Sequence, residues 1–517
     1  MKEIADLARI VTLRRLAGPP ILDLDSPAES KENLLVAAMV RTTGATQLQL
    51  VREVYGRNSA ANTGAFRKLR SRVQAKLLNH LYFLDHSDSR HLVSRRYEME
   101  VLSLFHQVSA LHAEGEYVLA TRLLRKCQRL AAAGEFTQYN VLATKMLRNI
   151  YSDQQQTRQF QATARKLQKL QLQLAQEDEA NRLLAEVKLG FGGPIAIRQK
   201  LLHKMADYVK QAEDLHRKVR SYNTFLVLYR IRLSQEELLG NFAEIINLTN
   251  DAARRMQQGK LNARRFDKRF NHFMSIYAHL RGRQPVQGLK LAEVYARDFH
   301  PSSGNWFYFH EHYLLLALHA GHYERAQRVL HTVSKNPSFS KQRAAAQQRW
   351  DMFRAYLELL QPSRSPAQQA RAAAMLTQTM PDYSRDKRGH NIAILVLQTL
   401  HYLRLRDLEA VLLRMERLRK YQQRHLREAE ALRSRLFLRL LALLVEKDFD
   451  PDECAVKGQN LLTKLRATPT PGDAFAHYEI VPYENLWLHI LQILRQGPRL
   501  SVSSLEQKDT EQVPAAG

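Results

Sequence analysis

The chain has 517 residues, room for three or four domains or one long repeat array at about 100–200 residues per domain. Hydrophobic residues make up 45% and charged residues 25%, which excludes global disorder, and the 20 glycines and 16 prolines are too few for an all-β fold of this length. Lys and Arg number 78 against 51 Asp and Glu, a net charge of +27. That excess suits a polyanionic partner such as nucleic acid, anionic lipid or an acidic protein surface. It equally suits arginine spread along solvated helix faces.

Helical periodicity runs through nearly the whole chain, and strand alternation is nearly absent. The spacing predicts helices near residues 2–16, 31–41, 46–56 and 65–84, the first stopped by Gly18-Pro19-Pro20. In the fourth, Phe66, Leu69, Val73, Leu77, Leu81 and Leu84 form one apolar stripe. A polar break places a boundary near residue 90, making 1–90 a separate helical region. From Tyr97 the pattern is one of helix pairs: a first repeat segment over 97–189, a second over 195–496, and a polar tail over 497–517 that composition marks as disordered. Gly190-Phe-Gly-Gly-Pro194 separates the two segments, because such a run cannot continue a helix. The Gln- and Leu-rich stretch before it, 155–188, reads as one helix of a pair, with a short coiled-coil arm as the alternative.

A short turn signature recurs. Gly115-Glu-Tyr-Val-Leu-Ala120 and Gly321-His-Tyr-Glu-Arg-Ala326 share the form glycine, any residue, aromatic, two residues, small. Residues 240–245 and 407–410 are looser copies. The glycine ends one helix in a left-handed conformation, the aromatic packs back, and the small residue admits the next helix. The segment around Gly321 resembles the middle of a tetratricopeptide repeat. The copies are unevenly spaced, so the expected fold is all-α, a degenerate tetratricopeptide-like α-solenoid.

Local motifs for chemistry are few. There is no GxxxxGK(S/T) loop and no GxSxG elbow. Cys127 and Cys454 lie far apart and make neither a CxxC nor a metal pair, which fits a reducing, cytoplasmic setting. No apolar run reaches membrane-spanning length. His300, His310, His312, His319 and His322 cluster, but His310 and His312 are two apart and point to different sides of a helix, so polar residues at a repeat interface are the better account. No cofactor, metal or catalytic residue is expected, and the chain reads as a non-enzyme.

Two basic clusters remain. Residues 57–96 hold nine Lys or Arg against two Asp. A short helix, the linker between Gly56 and Gly64, and a basic amphipathic helix give the outline of a helix-turn-helix, with a turn longer than the usual three or four residues. Arg67, Lys68, Arg70, Arg72 and Lys76 are the candidate nucleic-acid contacts. They are also what a solvated helix face looks like. Residues 254–283 hold nine Lys or Arg against one Asp, with Phe266, Phe270 and Phe273 interleaved. That spacing suits base stacking, but 266, 270, 273 and 277 is also a core stripe.

FRKLRSRVQAKLLNHLYFLD (66–85), SRDKRGHNIAILVLQTL (384–400) and VPYENLWLHIL (481–491) resemble segments of an all-helical, tetratricopeptide-like protein family of Bacteroidetes bacteria. The resemblance implies the helical fold and a cytoplasmic location, and it implies no catalytic residues. Within these segments Asn391 reads as an N-cap, Pro482 as the first residue of the last helix, and Trp487 as that helix's anchor. The sequence therefore supports a protein-protein interaction scaffold built on an α-solenoid groove, with a protein or peptide partner. The alternative is a nucleic-acid-associated regulator with a basic N-terminal head. The two differ in where the charge sits.

Overall fold

The structure, a computed structural model, describes residues 2–14, 21–23, 30–42, 44–85, 93–361, 388–425, 431–473 and 479–497. Those residues form twenty-one α-helices and two short 3-10 turns, with no strand among them. The chain divides into two compact units, Met1–Leu174 and Ala175–Gly517. Among the described residues no helix is long and apolar enough to cross a membrane. The expected disordered tail lies, after Gly497, outside the described residues.

In the first unit, α1 (Lys2–Arg14), α2 (Lys31–Arg41), α3 (Gln47–Tyr55) and α4 (Ala60–His80) are followed by α5 (Val93–Ala113), α6 (Tyr117–Ala133), α7 (Thr137–Asp153) and the start of α8 (Thr157–Phe191). Helices α2, α3 and α4 pack on one another around Leu35, Val51, Phe66, Leu69 and Val73. The stripe on α4 was expected to stay buried to Leu84. It is covered only to Val73, and Leu77, Leu81 and Leu84 are exposed. The cause is length. α4 has 21 residues, while α2 and α3 have 11 and 9, so α4 is about three turns longer than either partner.

The second unit continues with α9 (Ile195–Val219), α10 (Tyr222–Leu239), α11 (Phe242–Gln257), α12 (Lys268–Arg281), α13 (Pro285–Tyr295), α14 (Gly304–His319), α15 (Tyr323–Ser334) and α16 (Ala344–Leu360). After it come α17 (Arg388–Leu405), α18 (Leu408–His425), α19 (Leu432–Glu446), α20 (Pro451–Ala467) and α21 (Tyr483–Arg495). Consecutive helices pack in pairs, as an α-solenoid-like fold requires. The glycine-rich turn after α8 lies within this unit, where Pro194 caps α9 and Gly190 packs against Leu201. Helix α17 already includes Gly389 and Asn391, so Asn391 is not the N-cap it was read as. Pro482 is the N-cap of α21 rather than its first residue, and Trp487 is buried to 1% exposure.

The recurring turn has one geometry. Gly115, Gly240 and Gly321 have φ of +77°, +80° and +74°. After each, the next backbone N–H donates to the carbonyl five residues back: Glu116 to Leu111, Asn241 to Glu236 and His322 to Ala317, each at 2.9 Å. This is the Schellman closure of a helix end. Glu135, Gln155, Arg283 and Arg406 adopt the same left-handed conformation and are followed by the same bond. Non-glycine residues there cost on the order of 1–2 kcal/mol each. The small residues Ala120 and Ala326 are fully buried. Tyr117 and Tyr323 pack on the cores only half-buried, because each is the first residue of its helix and its ring lies over the turn.

Replacing Ala326 with Leu should therefore destabilise the second unit by about 1–3 kcal/mol through overpacking, and Tyr323→Ala should cost less than the roughly 3–5 kcal/mol of a fully buried aromatic. Chemical denaturation followed by circular dichroism reads both. A neutral Ala326→Leu would show that the helix approach does not depend on a small residue.

Candidate functional site

The basic head is a three-helix unit with a tighter turn than its sequence suggested. Ser59 caps α4, its hydroxyl accepting from Asn62 N–H, so the helix begins at Ala60 and takes Gly64 into its first turns. What remains between α3 and α4 is Gly56 to Ser59, four residues opened by a left-handed glycine at φ +79°. That length is the one a helix-turn-helix uses. The five candidate contacts separate into two groups. Lys76 Nζ lies 2.7 Å and Arg72 Nε 3.7 Å from the Glu32 carboxylate on α2. Arg67, Lys68 and Arg70 are exposed and take part in no ion pair among the described residues.

The rings of the second basic cluster pack inward, while Arg254, Arg255, Lys260, Arg264 and Lys268 are exposed. Phe266 is buried, and Phe270 and Phe273 pack against the same core as Tyr229 and Tyr277. Arg265 donates to Asn223 Oδ1 at 2.8 Å, and Asn223 in turn donates to the buried Glu177 at 2.6 Å. Three of the clustered histidines use a ring nitrogen on a backbone carbonyl, while His300 Nδ1 meets the Ser302 hydroxyl at 2.8 Å. His310 bonds Trp306 O, His312 bonds Tyr308 O, and His319 bonds Glu479 O across 160 residues. Cys127 and Cys454 are free and buried, and burial pushes both thiols up to about 11.

The most elaborate polar site is one the sequence did not disclose. After α20 the chain runs through Thr468-Pro-Thr-Pro-Gly-Asp473, a strap without regular structure. Pro469 and Pro471 have no N–H, and nothing in the strap can pair its own carbonyls. Arginines from across the unit do so instead. Arg433 Nη1 donates to Leu465 O and Thr468 O, both at 2.8 Å, and Arg283 Nη1 to Arg466 O at 2.8 Å. Arg281 Nη2 donates to Pro471 O at 2.6 Å, and Arg198 Nη1 to Asp473 O at 3.0 Å. The strap passes so close to the end of α10 that a Cβ on Gly240 would stand 2.7 Å from Gly472 N, and one on Gly472 would collide with Leu238 O. At its end Asp473 N–H donates to Glu237 O.

Beneath the strap lies a cavity of about 340 Å3, lined by Arg281, Arg283, Arg433 and Arg466 with Glu479 and Glu484. Arg433 is 3% exposed and grips both glutamates, at 2.6 and 2.9 Å to Glu479 and 3.0 Å to Glu484. Arg283 also reaches Glu484, at 2.6 Å. Burial alone would raise the Glu484 carboxyl, but Arg433 and Arg283 hold it below its ordinary value. The other end of the strap behaves oppositely. Tyr277 has one hydroxyl proton and donates it to Asp473 Oδ1 at 2.9 Å. The Glu237 carboxyl is buried close to that hydroxyl and to Asp473. Burial and the neighbouring Asp473 push this carboxyl up to about 8, against the weaker pull of Tyr277, Arg281 and Arg198.

That shift fixes a sign. In the unfolded chain Glu237 ionises near the usual pKa of about 4.3, while the folded chain holds the proton to about pH 8. Folded protein thus binds the extra proton across that window, and stability falls as pH rises through it. Glu237→Gln cannot ionise. The variant should gain melting temperature relative to the parent chain between pH 5 and pH 8.5, with little difference at the acid end. Parallel profiles across that range would exclude a raised Glu237 carboxyl.

No family model matches this chain, and no curated protein or solved structure matches it either.

Proposed function

We propose that the chain is a non-enzymatic, cytoplasmic interaction scaffold, a degenerate tetratricopeptide-like α-solenoid whose second unit holds extended protein segments. The observation that carries this reading is the strap. Four arginines, Arg198, Arg281, Arg283 and Arg433, converge on backbone carbonyls from the last turn of α20 to the end of the proline-containing strap, with Arg433 on Thr468, Arg281 on Pro471 and Arg198 on Asp473. Recognition through main-chain groups tolerates many side chains, and helical-repeat inner faces use it on peptide partners. Here the resident segment is the chain's own, so the same arginine row would receive a partner segment when the strap is out of place.

A labelled peptide of residues 465–473 tests it. Gly472→Ala should dislodge the strap by backbone collision, and the peptide should bind that variant at least about tenfold more tightly than the parent chain, a difference of roughly 1.4 kcal/mol. Fluorescence anisotropy reads the affinities. Equal, undetectable binding to both chains, with Gly472→Ala still folded by circular dichroism, would end the peptide-channel reading.

A second reading has its own observation, the four-residue turn between α3 and α4 with Arg67, Lys68 and Arg70 exposed beyond it. It makes the head a nucleic-acid contact. Each neutralised phosphate contributes about −0.9 to the log–log salt slope of duplex binding. Changing these three residues to Gln in the full chain should then flatten the slope by about 2.7. Arg72 and Lys76, already held by Glu32, should contribute less. An unchanged slope in the triple variant would remove the head from consideration.

A further inference from the structure

The second unit contains a larger cavity, of about 750 Å3, away from the strap. Its walls come from the ends of α16 and α17, the first residue of α15, and α21. Two arginines line it, Arg404 and Arg406, and none of the described residues lining it is a carboxylate. Neither arginine joins an ion pair among the described residues. Arg404 makes one long bond, 3.4 Å, to Leu359 O, and Arg406 Nη2 donates to Ile493 O at 2.6 Å. Arg406 Nη1 and the His489 Nε2 edge are both buried without a hydrogen-bond partner. Gln492 and Gln496 supply further exposed amides along the same wall. Opposite the polar groups are Leu359, Ile493 and Leu488, the last of these 49% exposed.

Three features make this more than a packing defect. Arg406 occupies the left-handed turn position, φ +62°, that Gly115, Gly240 and Gly321 fill elsewhere. A strained arginine there points to a task for its side chain. The Arg406 Nη1 donor is buried and unpaired where protein normally supplies a partner. The volume falls within the roughly 300–1,000 Å3 of small-molecule sites, which are apolar pockets with a few directed polar groups.

We propose that this cavity binds a small organic oxyanion, its carboxylate or phosphate held by Arg404 and Arg406 and its apolar body lying on Leu359, Leu488 and Ile493. Guanidinium forks match both oxyanions, and the bonds are charge-assisted. Among the described residues lining the cavity there is no acidic competitor for the anion. The site is separate from the strap, so it stands whether or not the scaffold reading does.

Calorimetric titration of the full chain with phenyl phosphate, benzoate, inorganic phosphate and phenol tests it. Phenyl phosphate or benzoate should bind saturably and more tightly than inorganic phosphate, and phenol should not bind. Whichever aromatic anion is tighter identifies the oxyanion. Arg404→Gln, and Gln492→Glu, which places a carboxylate in the wall, should each weaken binding roughly tenfold or more, since a hydrogen bond to a charged group contributes about 1.5–3 kcal/mol. Both positions are exposed, so folding should be unaffected. Arg419→Gln, an exposed cation on α18 outside the cavity, should leave the affinity unchanged. Binding weakened equally by Arg419→Gln would reveal diffuse attraction to the net charge and overturn the proposal, as would no heat from any anion at millimolar concentration.

Discussion

Arg433 is the interaction on which the second unit closes. A guanidinium has five N–H groups, and all five of Arg433's are used: one on each Glu479 oxygen, one on Glu484, and two on the carbonyls of Leu465 and Thr468. One buried side chain on α19 thereby joins the end of α20, the strap and the start of α21. An unpaired ion at this depth would be prohibitive, and removing one partner of a buried pair costs about 3–5 kcal/mol. The pairing stands because every lone pair and proton is matched. Ser434, next in sequence, lies 3.4 Å from the Tyr483 hydroxyl, so consecutive residues of α19 address the same two segments.

The strap follows from that closure. Once the end of α20 is fixed, the proline-bearing segment must cross the interior with carbonyls that no N–H of its own can meet. Arg283 at a left-handed turn, Arg281 two residues earlier at the end of α12, and Arg198 near the start of α9 supply the donors. The far end is then set by two backbones in contact, Gly472 against Leu238 and Gly240. This explains why Gly240 serves twice: it ends α10 with positive φ and leaves room for a second chain segment.

The sequence made the helices legible because burial alternates with the helical period along nearly every segment. It made the glycine-marked turns legible as well, since Gly115, Gly240 and Gly321 announce positive φ directly. It hid the turns at Glu135, Gln155, Arg283 and Arg406, where an ordinary L-residue takes the same conformation under tertiary constraint. It also misjudged α4 at both ends. Ser59 starts that helix earlier than Gly64 suggested, and the short partners leave its last apolar residues uncovered. The charged network was invisible for a simpler reason. Arg198, Arg281, Arg433 and Asp473 are separated by up to 275 residues, and no local spacing encodes their meeting. Phe270 and Phe273 were the reverse case, because a local stripe was enough to pack them against the core, whereas Phe266 reaches that core from the turn before Asp267 caps α12, outside the helix the stripe implied.

The excess of positive charge acquires a structural meaning from these contacts. Arg198, Arg281, Arg283, Arg406 and Arg433 all donate to main-chain carbonyls. A carbonyl satisfies the hydrogen bond and leaves the charge in place. Arg198 and Arg406 add to the net +27 in this way with no ion pair among the described residues, whereas Arg281, Arg283 and Arg433 also reach Asp473, Glu484 and Glu479. Where glutamates are also present, as around Arg433, the charge is balanced and the result is rigid closure. None of the described residues lining the cavity beside Arg404 and Arg406 is a carboxylate, and their field falls in that cavity. The same side-chain chemistry thus gives a fixed joint at one end of α21 and a receptive one at the other, and the difference is the presence of Glu479 and Glu484.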